Sequence, residues 1–163
     1  MMNHLFIRAD ATVSMGTGHM MRCIALAQTW KKRGGLVTFI SHCPNEAITK
    51  RLGSEGFNLI RIKKISPHSQ DIETIINILR NHFSSAEKQI FKTHNWVILD
   101  GYHFTPDYQK SLMEEGFNLL VIDDYNHLDH YQATILLNQN IGSDQYMYAC
   151  PNDTIKLFGT IRS

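Results

Sequence analysis

Apolar residues fall into two rhythms along the chain. Short, nearly continuous runs read as buried strands: Leu5-Phe6-Ile7, Leu36 to Ser41, Phe57 to Ile62, Trp96 to Asp100 and Asn118 to Asp123, with Ala133 to Leu137 as a sixth. Between them the spacing changes to that of helices. Met20, Ile24, Ala27 and Trp30 share one face, Ile48 and Leu52 a second, and Ile72, Ile75, Ile76, Leu79 and Phe83 a third. The boundaries agree with this division. Lys31-Lys32-Arg33 followed by Gly34-Gly35 closes the first helix, and Pro44 and the Gly53 to Gly56 stretch bracket the second. Asp71 reads as the cap of the third, and Thr105-Pro106-Asp107 opens a fourth.

Strands alternating with helices predict an α/β domain with a Rossmann-like, doubly wound and mostly parallel sheet, because each parallel connection needs a crossover long enough to hold a helix. In such sheets the ligand crevice lies at the carboxyl ends of the strands. The segments Asp10 to His19, Asp100 to His103 and Asp123 to Asp129 are therefore expected to converge.

Composition narrows the function. The chain has 163 residues, enough for one domain, with 43% hydrophobic and 19% charged residues, which is a globular balance rather than a disordered one. A formal net charge of +1 gives no electrostatic footprint for nucleic acid or an anionic membrane. No apolar run is long enough to span a bilayer and the N-terminus lacks the layout of a signal peptide, so a cytoplasmic protein is expected. Cys23, Cys43 and Cys150 are an odd, widely spaced set, which predicts free thiols rather than a disulfide framework or a zinc knuckle.

The strongest local signal is Gly16-Thr17-Gly18-His19-Met20-Met21-Arg22, at the junction of the first strand and helix. Gly16 and Gly18 let backbone N–H groups approach a ligand, and the helix N-terminus favours negative charge there. Met21 occupies the third position of a dinucleotide fingerprint and no P-loop is present, which argues against a hydride-transfer enzyme or a nucleoside triphosphatase. His19 at the helix start is a candidate general base, since the dipole there favours the neutral imidazole; a plain capping histidine fits the same position. Arg22, one turn on, is a candidate anion ligand or a solvated helix residue. Asp10, Asp100, Asp123 and Asp124 end strands, where a carboxylate orients a histidine, accepts a ligand hydroxyl or simply caps a loop. Tyr102 and Tyr125 stand at the same level, suited to stacking on a sugar or to packing. His127 and His130 beside Asp123, Asp124 and Asp129 lack the frame of a metal site, and neither a metal nor a cofactor is expected.

Several of these segments occur together in one order: Arg8-Ala9-Asp10-Ala11, the Gly16 to Cys23 stretch, Leu99-Asp100-Gly101-Tyr102, Val121-Ile122-Asp123-Asp124-Tyr125 and Ile135 to Asn140. In that order they resemble the N-terminal domain of the UDP-sugar hydrolase of pseudaminic acid synthesis, UDP-2,4-diacetamido-2,4,6-trideoxy-β-L-altropyranose hydrolase, over about residues 5 to 140. The resemblance implies one half of a GT-B fold, with His19 as the water-activating base and Tyr102 lining the sugar site. With the positions read above, Asp10, Gly16, Gly18, Arg22, Asp123 and Asp124 are the expected substrate-binding residues. The resemblance also implies a second, C-terminal domain that supplies most UDP contacts and has no counterpart in residues 1–163, so a separately encoded C-terminal domain is an expected partner besides the nucleotide-sugar. Two other readings remain beside the hydrolase: half of a GT-B glycosyltransferase, and a catalytically silent sugar-binding or interaction module.

Overall fold

A computed structural model describes residues 3–11, 18–43, 45–64, 67–83 and 94–159. The element order is β1 (His4–Ala9), α1 (Gly18–Lys32), β2 (Leu36–Ser41), α2 (Glu46–Ser54), β3 (Asn58–Arg61), α3 (Asp71–His82), β4 (Trp96–Asp100), α4 (Pro106–Glu114), β5 (Asn118–Ile122), β6 (Ile135–Ile141) and β7 (Ile155–Gly159). The seven strands form one sheet in the order β3-β2-β1-β4-β5-β6-β7, and every pairing is parallel. This is the doubly wound Rossmann-like arrangement that the alternation predicts. Strand order reverses between β1 and β4, which places the crevice there.

The pleat divides the core in two. Leu5, Ile7, Ala9, Ile98 and Ile122 face α1 and α2, meeting Met20, Cys23, Ile24 and Ala27 of α1. Phe6, Val97, Leu99, Leu119 and Val121 face α3 and α4, meeting Ile75, Leu79 and Leu112. Because both faces of the central strands are covered, their sequences read as continuous apolar runs rather than alternating ones. Each fully buried Ile, Leu or Met contributes roughly 1.5–3 kcal/mol to holding the layers together.

Local chemistry sets the helix ends, with three departures from expectation. Gly34 takes a left-handed φ of 85° just beyond α1, as its C-terminal position requires. Pro44, expected in the first turn of α2, lies outside the described residues, and the helix starts later, at Glu46, capped by Asn45, which accepts from the Ala47 and Ile48 N–H groups. Asp71 does not cap α3. It is the first helical residue, 3% exposed, and its carboxylate turns inward to Arg8 because a buried guanidinium is the stronger partner. The third departure is β7, which the pattern leaves unassigned: Ile155 and Leu157 are about half exposed, so the strand carries little of the burial signal that marks the others.

Candidate functional site

The carboxyl ends of β4 and β5 and the start of α1 meet around one charge cluster. His19 is the second residue of α1, and its Nδ1 lies 2.6 Å from Asp100 Oδ1. A carboxylate only accepts, so Nδ1 carries the proton and donates it. Arg22 Nη2 is also 3.0 Å from Nδ1, a proximity that follows from both groups binding the same oxygen. The remaining ring nitrogen, Nε2, forms no hydrogen bond among the described residues and is not sealed from solvent. It presents a lone pair at the crevice.

Arg22 is clasped on two sides. Its Nε and Nη2 donate to Asp100 at 2.6 Å each, and its Nη1 and Nη2 donate to Asp124 at 2.7 and 3.1 Å. Burial opposes the guanidinium charge, but the bonds to Asp100 and Asp124 outweigh it and raise Arg22 above its ordinary value. Asp124 responds in the complementary direction. Burial alone would raise its carboxyl, yet Arg22 and the Tyr102 hydroxyl, which donates at 2.6 Å, bring it down to about 2. Gln139 and Asn140 add amide donors to Asp124 at 3.2 and 3.3 Å. Tyr102 is held up at about 12, by burial first and then by its bond to Asp124. Its ring stands edge-on to His19, with centroids 5.1 Å apart.

Gly101 makes this turn possible. Its φ is +156°, and a Cβ there would lie 2.8 Å from His103 Cε1. Glycine lets the chain leave β4 so sharply that Asp100 faces His19 while Tyr102 folds back to Asp124.

Of the residues expected at the ligand, His19, Arg22, Tyr102 and Asp124 come together, and Gly18 opens the helix that carries His19, with open space where its Cβ would be. Gly16 lies outside the described residues. Asp10 and Asp123 are placed differently. Asp10 is fully buried against Arg8, which also holds Asp71, and it accepts the His42 N–H at 2.8 Å. Asp123 is fully buried and accepts from Tyr125 N–H, Asn126 N–H, His127 Nδ1, Tyr131 OH and Tyr148 OH. Those bonds overcome burial and lower its carboxyl below the usual range. Both aspartates serve as buried hubs that hold loops, with no exposed oxygen for a ligand. Asp100, one of four equivalent strand-end carboxylates in the sequence, is the one that touches the histidine.

No protein-family model matches the sequence. An uncharacterized protein of Methanocaldococcus jannaschii is 25% identical over 138 residues, which are 85% of this chain and 25% of that protein. Among solved structures, MurG of Acinetobacter baumannii is similar with a TM-score of 0.54 at 12% identity, over 98% of this chain and 47% of the MurG chain. The likeness defines the architecture, a Rossmann-like half of a GT-B fold. The chain thus spans about a quarter of the length of that curated relative and about half of MurG. No helix among the described residues is long and apolar enough to cross a membrane.

Proposed function

We propose that this chain is the base-bearing half of an enzyme that hydrolyses a UDP-linked 2,4-diacetamido-trideoxy sugar at its anomeric carbon, releasing UDP. The observation that carries the reading is the pairing of His19 with Asp100 at the mouth of the switch-point crevice. Asp100 fixes the tautomer in which Nε2 is free to take a proton from water. Asp100, Asp124 and Arg22 together carry one net negative charge, which balances the imidazolium formed as water attacks. Little acid assistance is needed on the other side of the bond, because the departing group is a phosphate whose last ionisation lies near pH 6. Attack opposite the leaving UDP inverts the anomeric configuration. Tyr102, locked by Asp124, lines the sugar, and the start of α1 offers backbone N–H groups to the diphosphate.

The same base serves a sugar hydroxyl as well as water, and the fold shared with MurG supports glycosyl transfer as the second reading. In either case most of the UDP contacts are assigned to a second domain, in cis or as a separate protein. UDP release, measured on this chain alone, on the chain joined by such a domain and on the joined His19→Ala variant, tests the proposal. Turnover is expected only in the second preparation. Full activity of the chain alone refutes the half-enzyme reading, and an active His19→Ala enzyme refutes the base; turnover that requires an added sugar acceptor selects transfer over hydrolysis.

A further inference from the structure

The loop after β5 is held far more firmly than the cluster around His19 requires. Buried Asp123 gathers five donors from residues 125 to 148. Asn126 is forced into a left-handed conformation at φ 56°, and its side-chain Oδ1 is buried without a partner. Both features are unfavourable in themselves, so the surrounding bonds must hold them in place. What the loop displays is Tyr125, 50% exposed. Its ring centroid lies 5.2 Å from Tyr102, itself 41% exposed, and 5.3 Å from His127, and the Tyr102 and His127 rings are 5.4 Å apart. Two exposed tyrosine rings, Tyr125 on this loop and Tyr102 after β4, with the His127 ring 14% exposed and packed against both, form a surface prepared for a ligand rather than a piece of core.

We propose that Tyr125, with Tyr102 and His127, forms a stacking platform that receives the apolar face of the sugar and selects deoxy or N-acylated sugars over fully hydroxylated ones. The identity of the ligand as a sugar rests on the function proposed above; the selectivity comes from the platform itself. Its polar groups are already engaged. The Tyr102 hydroxyl donates to Asp124, and both His127 nitrogens are bound, Nδ1 to Asp123 and Nε2 to the Tyr102 carbonyl. Only the Tyr125 hydroxyl has no partner among the described residues. A sugar hydroxyl laid on these rings loses water without replacement, whereas a methyl group gains contact. Tyr102 is the ring next to His19, and Tyr125 lies beyond it. Tyr125 therefore meets substituents remote from the reacting carbon and acts on selectivity, not on the base.

The test is saturation-transfer NMR on the full chain with D-fucose and D-galactose, which differ by one hydroxyl at C6. Transfer is expected to be strongest at the fucose methyl, with fucose bound several-fold more tightly. Tyr125→Ala is expected to weaken fucose about three- to tenfold while Tyr125→Phe retains it. An unchanged amide spectrum outside the loop shows that the variant folds. Equal binding of the two sugars, binding of neither, indifference to Tyr125→Ala, or a response of the Tyr125 ring to uridine but to neither sugar overturns the platform. Loss of UDP release in the two-domain enzyme with fucose binding intact refutes hydrolysis and leaves the platform standing.

Discussion

Replacing Asp100 with asparagine keeps the shape of the site and removes one acceptor. Each Asp100 oxygen serves two groups: Oδ1 receives His19 Nδ1 and Arg22 Nη2, both at 2.6 Å, and Oδ2 receives Arg22 Nε at 2.6 Å and the Cys23 thiol at 3.5 Å. Asparagine has one carbonyl oxygen, and its NH2 must face one of these pairs. A guanidinium has no lone pair to accept from it, but an imidazole has. The amide therefore keeps its oxygen on Arg22 Nε and turns its NH2 to His19, which draws the imidazole proton from Nδ1 to Nε2. In that tautomer the crevice-facing nitrogen is a donor and takes no proton from water. The same exchange in the serine-protease triad lowers turnover by about 10⁴, and general-base loss elsewhere costs about 10²–10⁴. A fall of that size is expected in UDP release, while stability drops by only about 1–2 kcal/mol because Asp124 still holds Arg22. Long-range proton–nitrogen NMR of His19 reads the tautomer in this chain without any substrate. A persistent Nδ1–H tautomer in a folded Asp100→Asn protein, or turnover within about threefold of the parent enzyme, refutes the reasoning.

Other groups give sharper tests of stability. His4 is 5% exposed and held at about 4 by burial and then by His82, so the unfolded chain takes up a proton between pH 6.5 and about 4 that the folded chain refuses. Stability should fall by about 3 kcal/mol across that window and then level off for this group, and denaturant titrations of His4→Phe should show a shallower slope. Asp124 acts in the same sense over a more acidic window: its contribution of about 2 kcal/mol is present above its unfolded value near 4 and is lost as pH falls through about 2, a loss that Asp124→Asn should not show. Asp124→Asn should also let the Tyr102 phenol titrate closer to 10, measured by ultraviolet absorbance. Arg8→Met leaves Asp10 and Asp71 buried without their cation and should cost about 3–5 kcal/mol in chemical denaturation; a change under about 1 kcal/mol would show that the triad is not a structural clamp.

The order of strands and helices was legible because burial on both faces writes continuous apolar runs into the central strands. The edge was not. Among the described residues Ile155 to Gly159 pairs with β6 alone, and its residues are exposed or half-buried, so only the ladder reveals it. Asp71 shows the limit of local rules. An aspartate at the start of a helical pattern is a sound cap by sequence, but Arg8 lies 63 residues away and decides its orientation. The His19, Arg22 and Tyr102 grouping was readable from position at the crevice, whereas the pairing of His19 with Asp100 depended on which of four similar aspartates faces α1.

The pleat supplies a signal that sorts those four. Side chains two apart on a strand share a face, so Asp100 follows Ile98 and Asp124 follows Ile122 and Leu120 toward α1, the helix that carries His19. Asp10 follows Arg8 and Phe6, and Asp123 follows Val121 and Leu119, toward α3 and α4. The crevice thus has two chemically distinct walls. On the α3 and α4 side, Arg8 with Asp10 and Asp71, and Asp123 with its five donors, are networks centred on buried groups; they fix where β1 and β5 release their loops. On the α1 side a similar set of carboxylates and one arginine is left partly open, with Arg22 21% and His19 11% exposed. In the proposed reaction the proton is exchanged on that second wall, since a group without access to the crevice cannot touch the reacting atoms. The sealed wall contributes position: five bonds to one carboxylate set the height of Asp124 and Tyr125, the neighbours that Arg22 and Tyr102 lean on.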